Sequence, residues 1–172
     1  MTKRSRIWAA ALVTAGLAVS TVPEDTSLRI AQAAAQTAPA ALSEAQDVNG
    51  GAGMVAEIVQ CKRDGGVLSI RMRIRNTGAA EVSLSVIIKA NYDQYYVTAG
   101  SKKYFVLRDS EKTPLANPIN DGAGSFGAVQ ATIPKGGTFT WFAKYPAPPA
   151  DVKKVNYYTP ITIPFEDIPI TD

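Results

Sequence analysis

The sequence contains no histidine, and only one of its 172 residues is a cysteine. Without histidine there is no Ser-His-Asp or Cys-His nucleophile, no imidazole general base, and none of the commonest zinc ligand. One cysteine cannot form a disulfide within the chain. Cys61 ends the apolar stretch MVAEIVQC and is read as a small buried side chain, ahead of the alternative that it is bridged to another chain. An excess of charge of one sign is also lacking. The formal charge of +3 comes from 18 basic and 15 acidic residues, and Lys3, Arg4 and Arg6 lie in a segment expected to be removed, which leaves the rest close to neutral. With no polybasic run, no helix-turn-helix and no RNA-binding signature, nucleic acid is not expected as a partner. A Gly-rich phosphate loop between a strand and a helix is absent as well.

The remaining chemistry is sparse. Ser101 stands beside Lys102 and Lys103, but neighbours on a strand point to opposite faces, so a lysine-activated serine is not expected there. Glu166 and Asp167 are adjacent, yet a glycosidase needs two carboxyl groups opposed across a cleft. Asn117, Asn120 and Asp121 in NPINDGAG lack the spacing of a calcium loop and read as turn residues. No catalytic residue, metal ligand or cofactor is assigned, and an enzyme is not expected.

What the chain does have begins with MTKRSR, followed by an uncharged, largely apolar run from Ile7 to Val22. A basic start, a short apolar run and small residues at Ala18-Val19-Ser20 form the pattern of a secretory signal. The run is shorter than the ~20 residues of a comfortable membrane span. Residues 1–22 are therefore expected to be a signal peptide, with no stable membrane span after cleavage and a periplasmic or extracellular destination. Residues 23–53 are mostly small and polar, with little apolar surface to offset the entropy of ordering, and are expected to form a flexible Ala/Gln/Gly-rich spacer. Ser43 and Gln46 have the spacing of a capping box, which allows one short helical turn near Leu42 to Val48.

From Met54 the pattern has a period of two. In VLSIRMRIR, Leu68, Ile70, Met72 and Ile74 share one face while Ser69, Arg71, Arg73 and Arg75 share the other. Val82, Leu84, Val86 and Ile88 repeat the alternation after the turn residues Asn76-Thr77-Gly78. Tyr95 to Thr98 and Lys103 to Leu107 flank Ala99-Gly100-Ser101 as a hairpin. Further strands are expected at Val129 to Ile133, TFTWFAK, VKKVNYY and ITIPF. Seven or eight short strands at this rhythm predict an all-β fold over residues 54–172, an immunoglobulin-like antiparallel β-sandwich. Pro146, Pro148 and Pro149 have no amide hydrogen for a ladder, so YPAPPAD is expected to be a corner between neighbouring strands.

The segments KKYFVLRDSE, FAKYPAPPADVKKV and PFEDIPI resemble a poorly characterised family of exported bacterial immunoglobulin-like domains. That family is similar to small secreted antigens and to modules that precede outer-membrane-anchoring domains of the OmpA type. The resemblance spans residues 54 to 170. It implies a sandwich and an exported location, and brings no catalytic residues.

Two surface features stand out. Arg71, Arg73 and Arg75 make a guanidinium ladder that Glu57 and Glu81 are expected to neutralise. The segments NYDQYYV and KKYF bring Tyr92, Tyr95, Tyr96 and Tyr104 together with a rim of Lys102 and Lys103, an aromatic patch suited to a protein or glycan. Alternation must turn some of these rings into the core. The expected function is a non-catalytic interaction module of the bacterial envelope or secretome, whose partner is an envelope or extracellular protein or glycan. The alternative is a small-ligand carrier with an apolar cavity lined by Phe105, Phe139 and Trp141.

Overall fold

The computed structural model describes residues 38–84, 89–119, 127–129 and 131–172. The expected signal peptide, the spacer as far as residue 37, and the positions of Val86, Ile88, Asn120 and Asp121 lie outside the described residues. Pro39–Asp172 forms one compact unit. No helix among the described residues is long and apolar enough to cross a membrane.

The fold is built around β3 (Val67–Asn76). A pleated strand sends successive side chains to opposite faces, so Leu68, Ile70, Met72 and Ile74 all become fully buried while the arginines stay outside. β2 (Met54–Asp64) and β10 (Thr138–Pro146) pair with it antiparallel on either side, and β1 (Gln46–Asp47) extends β2. On β10 the same alternation buries Trp141, Ala143 and Tyr145. The second sheet has the order β12 (Phe165–Pro169), β11 (Lys154–Tyr158), β6 (Tyr96–Ala99), β7 (Lys102–Phe105). Two short ladders, β4 (Val82–Ser83) with β9 (Thr132–Ile133) and β5 (Lys89–Ala90) with β8 (Gly127–Ala128), are also antiparallel. Leu84, Val129 and Ile133 join the common core.

The molecule is therefore an all-β antiparallel sandwich, as the period of two predicted. Rings from the two sheets meet at its centre. Tyr95 stacks on Trp141 with centroids 4.5 Å apart, and Tyr145 meets Tyr157 edge-on at 6.1 Å. Cys61 is fully buried in the core, as its apolar segment implied. Burial pushes its thiol up to about 12, against a smaller opposing effect of Arg63.

The expected boundaries shift in three places. The domain starts before Met54. Leu42 N–H donates to Ile58 O and Ile58 N–H donates to the Ser43 hydroxyl, so the end of the expected spacer lies along β2. Gln46 belongs to a strand and not to a helical turn, because the edge of β2 offers it ladder partners that an isolated turn lacks. A bulge between Ile58 and Gln60 divides that edge. Before it β2 pairs with β1, and after it Thr171 bonds to Cys61 and Arg63. Second, ITIPF is not a strand. Ile161 N–H donates to the Thr159 hydroxyl in a turn bracketed by prolines, and β12 begins only after Pro164. Third, YPAPPAD is a corner, but it carries the chain from one sheet to the other instead of between neighbours in one sheet.

Two glycines are needed for their backbone. Gly53, at φ +73°, lets its loop meet the next so closely that a Cβ would lie 2.6 Å from Gly78 Cα. Gly100, at φ +58°, opens the two-residue turn between β6 and β7.

Candidate functional site

The outward face of the second sheet carries a row of aromatic side chains set by strand register. Tyr158 of β11 lies across from Tyr96 of β6, which lies across from Phe105 of β7. Cross-strand neighbours on one face are close enough for their side chains to touch. Tyr96 and Tyr158 stack at 4.7 Å and 10° between planes, while Tyr96 and Phe105 are tilted at 6.0 Å. Lys103 places its ammonium 4.3 Å from the Tyr96 centroid, a cation–π contact. Phe105 is 48% exposed, and Tyr96 and Tyr158 are half-buried.

Of the predicted patch, this face keeps Tyr96 and Lys103. Lys102 is exposed at the other side of β7, its ammonium 5.2 Å from the Tyr104 ring. Three predicted members are not available to a partner. Tyr95 immediately precedes Tyr96, so the pleat turns its ring inward onto Trp141, where burial raises its phenol far above the ordinary range. Tyr104 sits between Lys103 and Phe105 and is turned into the core by the same rule. Tyr92 is half-buried in a single 3-10 turn, Tyr92–Gln94, and its hydroxyl is used internally. It donates to Asn117 O at 3.2 Å and accepts from Ile119 N–H at 2.9 Å.

Phe105 and Tyr158 were not in the predicted patch. Phe105 carried a signal in the alternation of KKYF, since it shares a face with Lys103. Tyr158 carried none, because its place beside Tyr96 depends on a pairing between distant segments.

The other outer face behaves differently. Glu57 accepts from Arg73 Nε at 2.9 Å and from Arg75 Nε at 3.0 Å, and Arg73 also donates to Pro39 O. Glu57 is itself buried. Two of the three arginines thus share one carboxylate, Glu57, which offsets one of their two charges, and Glu81 makes no ion pair with them among the described residues. Arg71 remains exposed beside Phe142, which is 40% exposed.

The rings expected to line a ligand cavity do not face one space. Trp141 is fully buried on the inward side of β10, whereas Phe105 points out from the second sheet. Asn117 is occupied too: its side-chain Oδ1 accepts from Phe142 N–H. No protein-family model matches the chain, no curated protein matches its sequence, and no solved structure matches its fold.

Proposed function

We propose that the chain is an exported, non-catalytic interaction module of immunoglobulin-like type, working in the bacterial envelope or secretome. It binds a protein or glycan partner through the outward face of the second sheet. The observation that carries this reading is the row Tyr158, Tyr96, Phe105 with Lys103 above it, a stacked aromatic surface, two rings half-buried and one exposed, on the outer face of the second sheet. Aromatic anchors of this kind dominate protein interfaces. The absence of histidine and the burial of the single thiol support a non-catalytic role.

Between protein and glycan, the ring packing favours protein. A sugar stacks on a free ring face, and Tyr96 already stacks on Tyr158 and has the Lys103 ammonium over its ring. What the row offers is ring edges, the flank of Phe105 and a cation.

The test is capture of partners from an envelope extract by the exported protein and by its Tyr96→Ala/Phe105→Ala variant. A partner held by the first and lost by the second, with the melting temperature little changed, supports the site. Equal capture by both would remove this face from consideration.

A further inference from the structure

We infer that the free edge of β7 accepts an extended, acidic segment of a partner protein as an added strand, next to the aromatic row. This rests on the proposed interaction role and specifies how the partner is held.

The backbone comes first. The β6–β7 hairpin turns through Gly100 and Ser101, with Ala99 paired to Lys102. In such a two-residue hairpin the closing pair exchanges hydrogen bonds, and pairs then alternate between bonded and non-bonded. Val97 and Tyr104 are therefore a bonded pair, while Thr98–Lys103 and Tyr96–Phe105 are not. The N–H and C=O groups of Lys103 and Phe105 consequently point away from β6. Among the described residues no backbone group meets them there.

The reason lies in the proline corner. Just beyond Phe105 the two sheets touch, where Leu107 N–H donates to Lys144 O. Continuation of that contact along β7 would use the stretch Pro146-Ala147-Pro148-Pro149. Only Ala147 has an amide hydrogen in that stretch, and it is donated to Gly66 O on the far side. The corner therefore offers β7 no ladder there, and an open groove of about 530 Å³ lies along the strand beside Pro146–Ala147. A strand edge with unpaired groups beside an open groove is the surface used in β-strand addition.

Charge selects the occupant. The charged side chains of the groove are Lys102, Lys103 and Arg108. None of the three is ion-paired with a carboxylate among the described residues. A second copy of the chain, pairing edge to edge, would set these cations against their own kind, and edge lysines are a known defence against such pairing. An acidic strand meets the opposite field. It also sets alternate side chains beside Phe105 on the outer face.

The probe is an end-blocked octapeptide of glutamate, valine and threonine, compared with the same peptide carrying lysine for glutamate. Amide hydrogen exchange followed by NMR reads the edge directly. With the glutamate peptide, exchange at Lys103 and Phe105 should slow by at least about tenfold, while Tyr104, already paired with β6, changes little. The substitution Lys103→Pro removes an outward donor without touching the β6 ladder, and should weaken peptide binding by about tenfold or more at an unchanged melting temperature. Reversal by Lys102→Glu/Lys103→Glu should transfer the preference to the lysine peptide. Absence of protection with either peptide overturns the proposal, as does equal protection by both. Protection that grows with protein concentration alone, without peptide, also overturns it by making a second copy the occupant. These results are independent of partner capture: if the edge fails while Tyr96→Ala/Phe105→Ala still releases a partner, the face stands and the added strand falls.

Discussion

Tyr95-Tyr96, at the start of β6, and Tyr157-Tyr158, at the end of the neighbouring β11, are two pairs of consecutive tyrosines, and each pair sends one ring into the core and one to the outer face. Tyr95 and Tyr157 are fully buried, the first stacked on Trp141 and the second packed against Tyr145 and Phe165. Tyr96 and Tyr158 stack on each other in the solvent-facing row. The same side chain therefore serves as core filling or as exposed surface according to a single step along the strand. If the proposed interaction role holds, the inner rings serve stability and the outer rings recognition, and the two roles should separate cleanly under perturbation.

Alkaline pH should expose the difference most strongly. Burial raises the phenols of Tyr95, Tyr145 and Tyr157 well above the ordinary 10.0, and the Cys61 thiol from 9.0 to about 12. These acids keep their protons in the folded state after the unfolded chain has lost them. Their contribution is fully present below the ordinary values and is lost as pH rises toward the folded ones. Within that window each group lowers stability by ~1.4 kcal/mol per pH unit, so the four together outweigh any one substitution. Urea unfolding at a series of pH values should show the decline starting near the thiol value and steepening above the phenol value of 10.0. A flat profile would mean that these side chains are not enclosed.

Truncation comes next. Tyr95→Ala should cost ~3–5 kcal/mol, as removal of large core aromatics does, whereas Tyr95→Phe keeps the stack on Trp141 and should cost far less. On the first sheet, Glu57→Gln leaves Arg73 and Arg75 without their shared carboxylate and should cost ~1–3 kcal/mol in chemical denaturation. Tyr96→Ala should cost less than ~1 kcal/mol, near the range of ordinary surface sites, while it abolishes partner capture. If Tyr96→Ala instead destabilises the domain as much as Tyr95→Ala, the split between the two faces is lost. The smallest effect is kinetic: Cys61 should label with a thiol reagent only when denaturant opens the fold, and rapid labelling of the native protein would place β2 in another register.

The two outer faces offer a second lesson. The arginine ladder was expected to meet carboxylates, and Glu57, directly across from Arg73, binds two of its three members. The lysines of β7 find rings instead of carboxylates, and keep their charge available.

The period of two in the sequence determined the all-β class, the inward set Leu68, Ile70, Met72 and Ile74, the burial of Cys61, the hairpin at Gly100, and the stop at the proline run. Each follows from a local rule: pleating, turn geometry, or a missing amide hydrogen. Only the tertiary structure decided the rest. It placed Tyr158 beside Tyr96 and left the edge of β7 open next to Pro146. It also drew residues 39–53 into the domain. Such contacts join segments far apart in the chain, and local alternation fixes which face a side chain takes but not which strand will lie beside it.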